Sequence, residues 1–161
     1  MDQLLKKLNY KDQSPVLLLN LPPELADFEK YVQTVTEVVH SLDEVEKPQF
    51  ALFFVTQLQE IEHIAQALQG RLDGDVILWF VYPKGTSKRY KCNFNRDTGW
   101  ASLGSLGLEG VRMVAVNEDW SALRMRRVEY IKVLTRKFGT LSEEGKEKRI
   151  VKSEKRIVKS E

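Results

Sequence analysis

The sequence predicts an α/β domain with three layers, in which helices cover both faces of a mixed sheet of about six strands. Residues 16–20, 50–55 and 76–82 are continuous apolar runs of strand length, which is typical of strands buried on both faces. A helical pattern separates the second and third runs, so these two strands are expected to be parallel. Two later strand patterns flank the turn residues 117–119 and predict an antiparallel hairpin.

The first third of the chain alternates helix and strand patterns. Leucines at helical spacing predict a short helix over residues 2–8, and residues 16–20 form the first strand. Pro23 suits the first position of a helix that runs to residue 32. Residues 34–42 fit either a helix or a strand, because five of these nine residues are β-branched. We prefer a short helix followed by a strand at residues 36–41.

The middle of the chain holds the clearest βαβ pattern. Residues 50–55 are a strand, and Pro83 ends the strand at residues 76–82 because proline cannot donate to a sheet ladder. Between them, apolar residues recur at helical spacing up to Gly70. These residues are Leu58, Ile61, Ile64, Ala65 and Leu68.

The later elements are predicted with shorter patterns. Residues 97–107 are expected to form a helix, residues 111–116 and 122–128 the hairpin, and residues 129–138 a further helix. Charged residues alternate with apolar ones at 122–128, which predicts one solvated face at the edge of the sheet.

Length and repeats predict one domain and a tail. Of the 161 residues, 1–138 are assigned to the α/β domain. The heptapeptide at 147–153 is repeated letter for letter at 154–160. Because the segment 139–161 is charged and poorly apolar, we expect it to be disordered.

Cysteine usage and hydropathy indicate a reducing compartment without a membrane. Cys92 is the single cysteine, and the longest apolar run is far shorter than the roughly 20 residues of a membrane span. We therefore expect a cytoplasmic protein that does not contact a membrane. His40 and His63 lack metal-ligand spacing to each other or to Cys92, so no metal site is expected.

Charge is unevenly distributed along the chain. Residues 1–75 hold 6 lysines and arginines against 13 aspartates and glutamates, whereas residues 76–140 hold 12 against 5. A basic half could steer an anionic partner. We expect instead that the two halves interleave in the fold, so that the asymmetry averages out in space.

The predicted strands fit the mixed sheet of the Rossmann-like, methyltransferase-type fold. In that pattern the strands lie in the order 36–41, 16–20, 50–55, 76–82, 122–128 and 111–116. A nucleotide or S-adenosylmethionine site in such a sheet needs glycines after the first strand. Here Asn20, Leu21, Pro22 and Pro23 follow that strand, and the two prolines lack N–H donors.

Three short motifs carry a resemblance to a known family. An apolar strand ends in Asn20-x-Pro22, another contains Trp79-x-x-x-Pro83-Lys84, and an acid precedes Trp120-Ser121 by two positions. Together they resemble a bacterial family of unknown function with a degenerate methyltransferase-like fold. The resemblance spans residues 16–128. It implies that fold, a cytoplasmic location and no assigned activity or catalytic residue.

Polar residues at the strand ends are the candidate ligand site. Asn20, Thr56, Lys84 and Gly85 follow three neighbouring strands, and parallel strands end at one edge of the sheet. They predict a crevice for a small anionic ligand. The basic loop around Tyr90 has too few aromatic residues for a nucleic-acid groove, so we do not expect that partner.

Two functions remain open from the sequence. The favoured one is a non-catalytic binding or interaction module without a cofactor, whose partner is a small ligand or another protein. The alternative is a divergent S-adenosylmethionine-dependent methyltransferase that uses Asn20 and an acid such as Asp43 in place of the usual glycine loop.

Overall fold

A computed structural model describes residues 2–94 and 99–131, and in it six strands form one mixed sheet in the predicted order, β2-β1-β3-β4-β6-β5. β1 to β4 are mutually parallel, and the hairpin β5–β6 adds to β4 in the antiparallel sense. The strands are β1 Val16–Leu19, β2 Val38–Val39, β3 Phe50–Phe54, β4 Ile77–Pro83, β5 Leu108–Ala115 and β6 Trp120–Arg127.

Helices cover both faces of this sheet. The α-helices are α1 Asp2–Lys7, α2 Ala26–Val35, α3 Leu58–Leu68 and α4 Ala101–Gly104. Single 3-10 turns lie at Pro23–Leu25, Leu42–Glu44 and Val128–Tyr130. Buried residues of α1 and α2 pack in one cluster with one face of the sheet, and those of α3 and α4 pack in a second cluster with the other face. The three-layer architecture is therefore confirmed.

The order of connections places a topological switch point between β1 and β3. The chain passes from β1 to β2 on one side, and then crosses back to β3 on the other side of β1. Loops leaving the carboxyl ends of β1 and β3 consequently diverge. Ligands of open α/β sheets bind at such a switch point.

Several element boundaries differ from the prediction. In the ambiguous segment 34–42, α2 continues to Val35 and the strand is limited to Val38–Val39, because Ser41 caps the 3-10 turn that follows. The helix predicted at 97–107 is only Ala101–Gly104, and Gly107, with a φ of 77°, turns the chain into β5.

The C-terminal predictions fall largely outside the described residues. In place of the start of the helix predicted at 129–138, the described part contains the 3-10 turn Val128–Tyr130. Residues 132–138 and the tail 139–161, predicted to be disordered, lie outside the described ranges.

Residues 122–128 were predicted to lie at the edge of the sheet with one solvated face, and their place at the edge is wrong. β6 lies between β4 and β5, and β5 forms the edge of the sheet. Arg124 is consequently only 9% exposed, and its Nε has no hydrogen-bond partner among the described residues. The alternation of charged and apolar residues in this segment thus includes a buried arginine, Arg124, and does not indicate an edge strand.

The two charged halves of the chain do not interleave in the sheet. β1, β2 and β3 come from residues 1–75 and form one half of the sheet, whereas β4, β5 and β6 form the other half. The described ranges 76–94 and 99–131 contain 8 lysines and arginines and only 4 aspartates and glutamates. The two parts of the chain thus stay separate in the order of the strands, while ion pairs such as Arg126–Asp75 join them across the fold.

None of the helices within the described ranges is both long enough and apolar enough to cross a bilayer.

A buried hydrogen bond attaches α1 to the central strand. Trp79 of β4 is fully buried, and its Nε1 donates to the backbone oxygen of Leu8, directly after α1, at 2.9 Å. Trp100 is also buried, but its Nε1 has no hydrogen-bond partner among the described residues. The Trp79 indole therefore makes a hydrogen bond that the Trp100 indole lacks among the described residues.

We expect Trp79→Phe to lower the free energy of unfolding by about 1–2 kcal/mol more than Trp100→Phe. Both substitutions remove the same volume, but only the first leaves a buried carbonyl oxygen without its donor. Urea denaturation of the two variants at neutral pH measures the difference. Equal losses would show that the Trp79–Leu8 bond contributes nothing to stability.

Candidate functional site

Two cavities open at the edge of the sheet where the parallel strands end. The β1 cavity, of about 440 Å³, is lined by Leu18, Asn20, Leu21, Pro22, Pro23, Ala26, Glu29 and His40. The β4 cavity, of about 650 Å³, is lined by Tyr82, Pro83, Lys84, Gly85, Thr86, Tyr90, Lys91, Cys92, Phe94, Met113 and Ser121. Both volumes are in the range of small-molecule sites.

Backbone conformation shapes the β1 cavity. Asn20 has a φ of 60°, in the left-handed region that asparagine tolerates, and turns the chain out of β1. Its side-chain amide lies 3.5 Å from the backbone oxygen of Phe54 at the end of β3. Pro22 and Pro23 then lead into the 3-10 turn before α2, without N–H groups to offer a ligand.

A carboxylate and an imidazole are the titratable side chains among the described residues of the β1 cavity. Glu29 projects from α2, and His40 follows β2 directly. The Glu29 Oε1 and the His40 Nε2 are 2.9 Å apart, and Gln33 donates to the other carboxylate oxygen at 3.2 Å. Both Glu29 and His40 remain partly accessible, with side-chain exposures of 23% and 54%. The pair offers carboxylate oxygens as acceptors and imidazole nitrogens as hydrogen-bonding groups to a polar ligand.

The loop after β4 reaches across the strand ends and binds the loop after β1. The Tyr90 hydroxyl lies 2.8 and 2.6 Å from the two carboxylate oxygens of Glu24 and donates to this group. The indole of Trp120 donates to Glu24 at 3.5 Å, and the Tyr90 and Trp120 rings are 4.8 Å apart. We call Glu24, Tyr90 and Trp120 the strand-end cluster; it joins the walls of the two cavities.

The strand-end cluster shifts two pKa values in opposite directions. Desolvation raises the pKa of Glu24, but hydrogen bonds from Tyr90, from its own backbone and from Trp120, together with the charge of Arg89, outweigh it and lower the pKa overall. The same hydrogen bond to the Glu24 carboxylate, with some desolvation, raises the pKa of Tyr90. The phenol therefore remains a donor, and the carboxylate an acceptor, at neutral pH.

The β4 cavity combines basic side chains with an apolar floor. Tyr82, Phe94 and Met113 provide apolar surface, while Lys84 and Lys91 bring positive charge. No aspartate or glutamate is among the described residues that line it. Its electrostatic character is thus opposite to that of the β1 cavity.

The four predicted site residues are divided between different places. Asn20 lines the β1 cavity, and Lys84 and Gly85 line the β4 cavity. The Thr56 hydroxyl donates to Glu60 Oε1 at 3.2 Å, in the cap that begins α3, and Thr56 is not among the residues lining either cavity. Ligand binding by these four residues stays a prediction, and the two cavities hold three of them in two separate places.

Other sequence candidates lie apart from the cavities or offer no metal set. Asp43 belongs to the 3-10 turn after β2 and is not among the residues that line the β1 cavity, where the acid is Glu29. The Cys92 thiol donates to the backbone oxygen of Phe94 at 3.0 Å. Across residues 2–94 and 99–131, no group of three or more histidine, cysteine, aspartate or glutamate side chains could hold a metal ion.

Sequence reasoning missed Glu29, His40, Glu24 and Tyr90 as site residues. Glu29 and His40 are 11 residues apart, and Glu24 and Tyr90 are 66 apart, so no local motif contains either pair. The one available signal was position, because His40 follows a predicted strand and Glu24 follows Pro23 at a helix start.

Comparison with known proteins supports the fold and leaves the family open. No family model and no curated protein matches the sequence. A candidate type 11 methyltransferase from Sulfolobus solfataricus is similar in structure, with a TM-score of 0.52 and 6% identity over 78% of this chain and 90% of that one. An S-adenosylmethionine-dependent methyltransferase from Aquifex aeolicus gives a TM-score of 0.51 and 14% identity over 79% and 89%. The chain therefore has the methyltransferase-type Rossmann-like fold.

We expect Tyr90→Phe to destabilise the protein by roughly 1 kcal/mol at pH 7, because it removes a donor from a partly exposed carboxylate. A carboxyl whose folded-state pKa is lowered contributes stability above its unfolded pKa and loses it as the pH falls through the folded value. The difference from the unsubstituted protein should consequently shrink as the pH falls below about 4.5, the ordinary value for glutamate. Urea unfolding at a series of pH values measures this.

Tyr10→Phe is the matched control for that measurement. The Tyr10 hydroxyl donates to the backbone oxygen of Gln13 at 2.9 Å, and a carbonyl does not titrate in this range. Its effect should be the same from pH 3 to pH 7. A parallel pH dependence for the two variants would contradict the role assigned to Glu24.

Proposed function

We propose that the protein binds S-adenosylmethionine or S-adenosylhomocysteine in the β1 cavity and is a divergent methyltransferase. The observation that carries this proposal is the Glu29–His40 pair, which lies in a cavity at the end of the first strand of a methyltransferase-type sheet. The similarity of the sheet to those of two methyltransferases supports the same choice.

The residues of the β1 cavity fit the nucleoside part of this ligand. A ribose offers neighbouring hydroxyls as donors, and the Glu29 carboxylate is a partly accessible acceptor. Leu18, Leu21 and Pro22 supply apolar surface for a base. When bound, S-adenosylmethionine supplies an electrophilic methyl group. The protein's contribution is to orient the nucleoside and, through the strand-end cluster, to hold the loop that borders it.

A non-catalytic binding module is the second candidate, and two features of the loop after β1 favour it. Pro22 and Pro23 remove two backbone donors from the loop that normally cradles the ligand. The strand-end cluster also holds the residue after Pro23 against the hairpin. On this proposal the β1 cavity binds a nucleoside-containing ligand without transferring a group.

We expect S-adenosylmethionine and S-adenosylhomocysteine to raise the melting temperature. A ligand at about 100 times its Kd stabilises a protein by about 2.7 kcal/mol, which corresponds to roughly 5–10 °C for a chain of this size. Differential scanning fluorimetry measures the shift. No shift with either compound at millimolar concentration would contradict the methyltransferase proposal.

Two variants localise the binding. Glu29→Gln keeps the size of the side chain but loses its charge, and we expect the ligand-induced shift to fall by more than half because the ribose acceptor is weakened. Glu62→Gln, on the exposed face of α3, makes the same change away from the cavity and should leave the shift unaltered. Equal shifts in the two variants would place the ligand elsewhere.

A further inference from the structure

We propose that the β4 cavity is a second binding site, for a small phosphate monoester attached to a ring or another compact apolar body. This inference is independent of the function proposed for the β1 cavity. It depends on the charge of the β4 cavity, on the backbone turn at its wall and on its floor.

The charge of the lining selects an anion. Lys84 follows β4 directly and is half-buried, and Lys91 is exposed. Both line the cavity, and the described lining residues include no carboxylate to neutralise them. An ammonium group is a compact point charge with three hydrogen-bond donors. Two ammonium groups therefore suit an oxyanion with several acceptor oxygens.

The backbone turn at residues 84–87 adds donors that the fold does not use. The N–H of Ser87 donates to the Lys84 oxygen at 3.0 Å and closes the turn. The central amides, those of Gly85 and Thr86, have no hydrogen-bond partner among the described residues, and both residues line the cavity. Open space lies where a side chain of Gly85 would be, so a ligand can approach the backbone there. Successive free amides are a recurrent anion site.

The turn is held in place before any ligand binds. Asp119, which is buried in the turn between β5 and β6, accepts from the Lys84 N–H through its backbone oxygen at 2.8 Å. Its carboxylate accepts from the Ser87 hydroxyl at the same distance, 2.8 Å. The Ser87 hydroxyl oxygen in turn accepts hydrogen bonds from the backbone amides of Arg89 and Tyr90. A site that is ordered in advance loses less entropy on binding.

The floor of the cavity favours a ring beside the phosphate. Tyr82 and Phe94 have ring centroids 6.0 Å apart, and Met113 on the edge strand is 38% exposed with its sulfur 3.3 Å from the Tyr82 hydroxyl. Aromatic edges and a polarisable thioether provide favourable contacts for a flat apolar group. The volume of about 650 Å³ is sufficient for a phosphate and one or two rings.

Isothermal titration calorimetry with phenyl phosphate tests the proposal, with inorganic phosphate and phenol as the two half-ligands. We expect phenyl phosphate to bind at least about tenfold more tightly than either, since the ring and the anion each contribute of the order of 1.4 kcal/mol. Failure of phenyl phosphate to bind at millimolar concentration would overturn the proposal. Equal binding of phenol would remove the role of the anion, and equal binding of inorganic phosphate would remove that of the floor.

Substitutions of single lysines separate a specific site from general attraction by a basic loop. Lys84→Ala should weaken phenyl phosphate binding by about tenfold, the value of one charge-assisted contact. Lys88→Ala removes the same charge from the same loop but from a residue that is not in the lining, and should change the affinity less than twofold. Equal losses in the two variants would contradict a built site.

Amide chemical shifts locate the bound probe. Phenyl phosphate should shift the backbone resonances of Gly85 and Thr86 and leave those of Glu29 and His40 unchanged. If the shifts fall on Glu29 and His40, the probe occupies the β1 cavity and the second site is refuted. That result would leave the proposed methyltransferase function intact, so the two proposals fail separately.

Discussion

The burial of β4 on both faces is the constraint on which the other features of the structure depend. All seven residues of Ile77–Pro83 are buried, and the side chains of residues 77–82 enter the two core clusters alternately. A register slip of one residue would exchange these two sets, so β4 fixes its pairing with β3 and with β6. This register also fixes where each strand ends relative to its neighbours. The positions of Lys84 and Trp120 at the edge of the sheet are thus a consequence of core packing.

Both cavities are built from loops that a small number of polar residues hold in place. Asp119 connects the turn after β4 to the hairpin, and Glu24 connects the loop after β1 to Tyr90 and Trp120. Because these contacts join elements far apart in sequence, each cavity depends on the hairpin having added to β4 correctly. The β1 cavity presents a carboxylate and the β4 cavity presents lysines, so one edge of the sheet offers two environments of opposite charge.

The strand order could be predicted because its causes are local or topological. Apolar runs such as residues 50–54 identify buried strands, and the βαβ pattern leaves few possible orders. Lys84 and Gly85 could be placed at a strand end because Pro83 marks that end. Glu29 with His40 could not be found, since their contact requires α2 to lie beside the end of β2. The boundaries around α4 failed because a four-residue helix has too few residues to show a period.

The charged side chains of the sheet belong to β5 and β6, which hold four arginines and one glutamate, whereas β1, β2 and β3 hold none. Acidic residues predominate in the part of the chain that forms β1 to β3, and basic residues predominate in the described part that forms β4 to β6. A net charge of only +2 therefore understates the field around the protein. Within about one Debye length, roughly 8 Å at physiological ionic strength, a charged surface exerts a torque on a protein whose charge is distributed unevenly. A polyanion would therefore be drawn to the arginines of the β5–β6 edge.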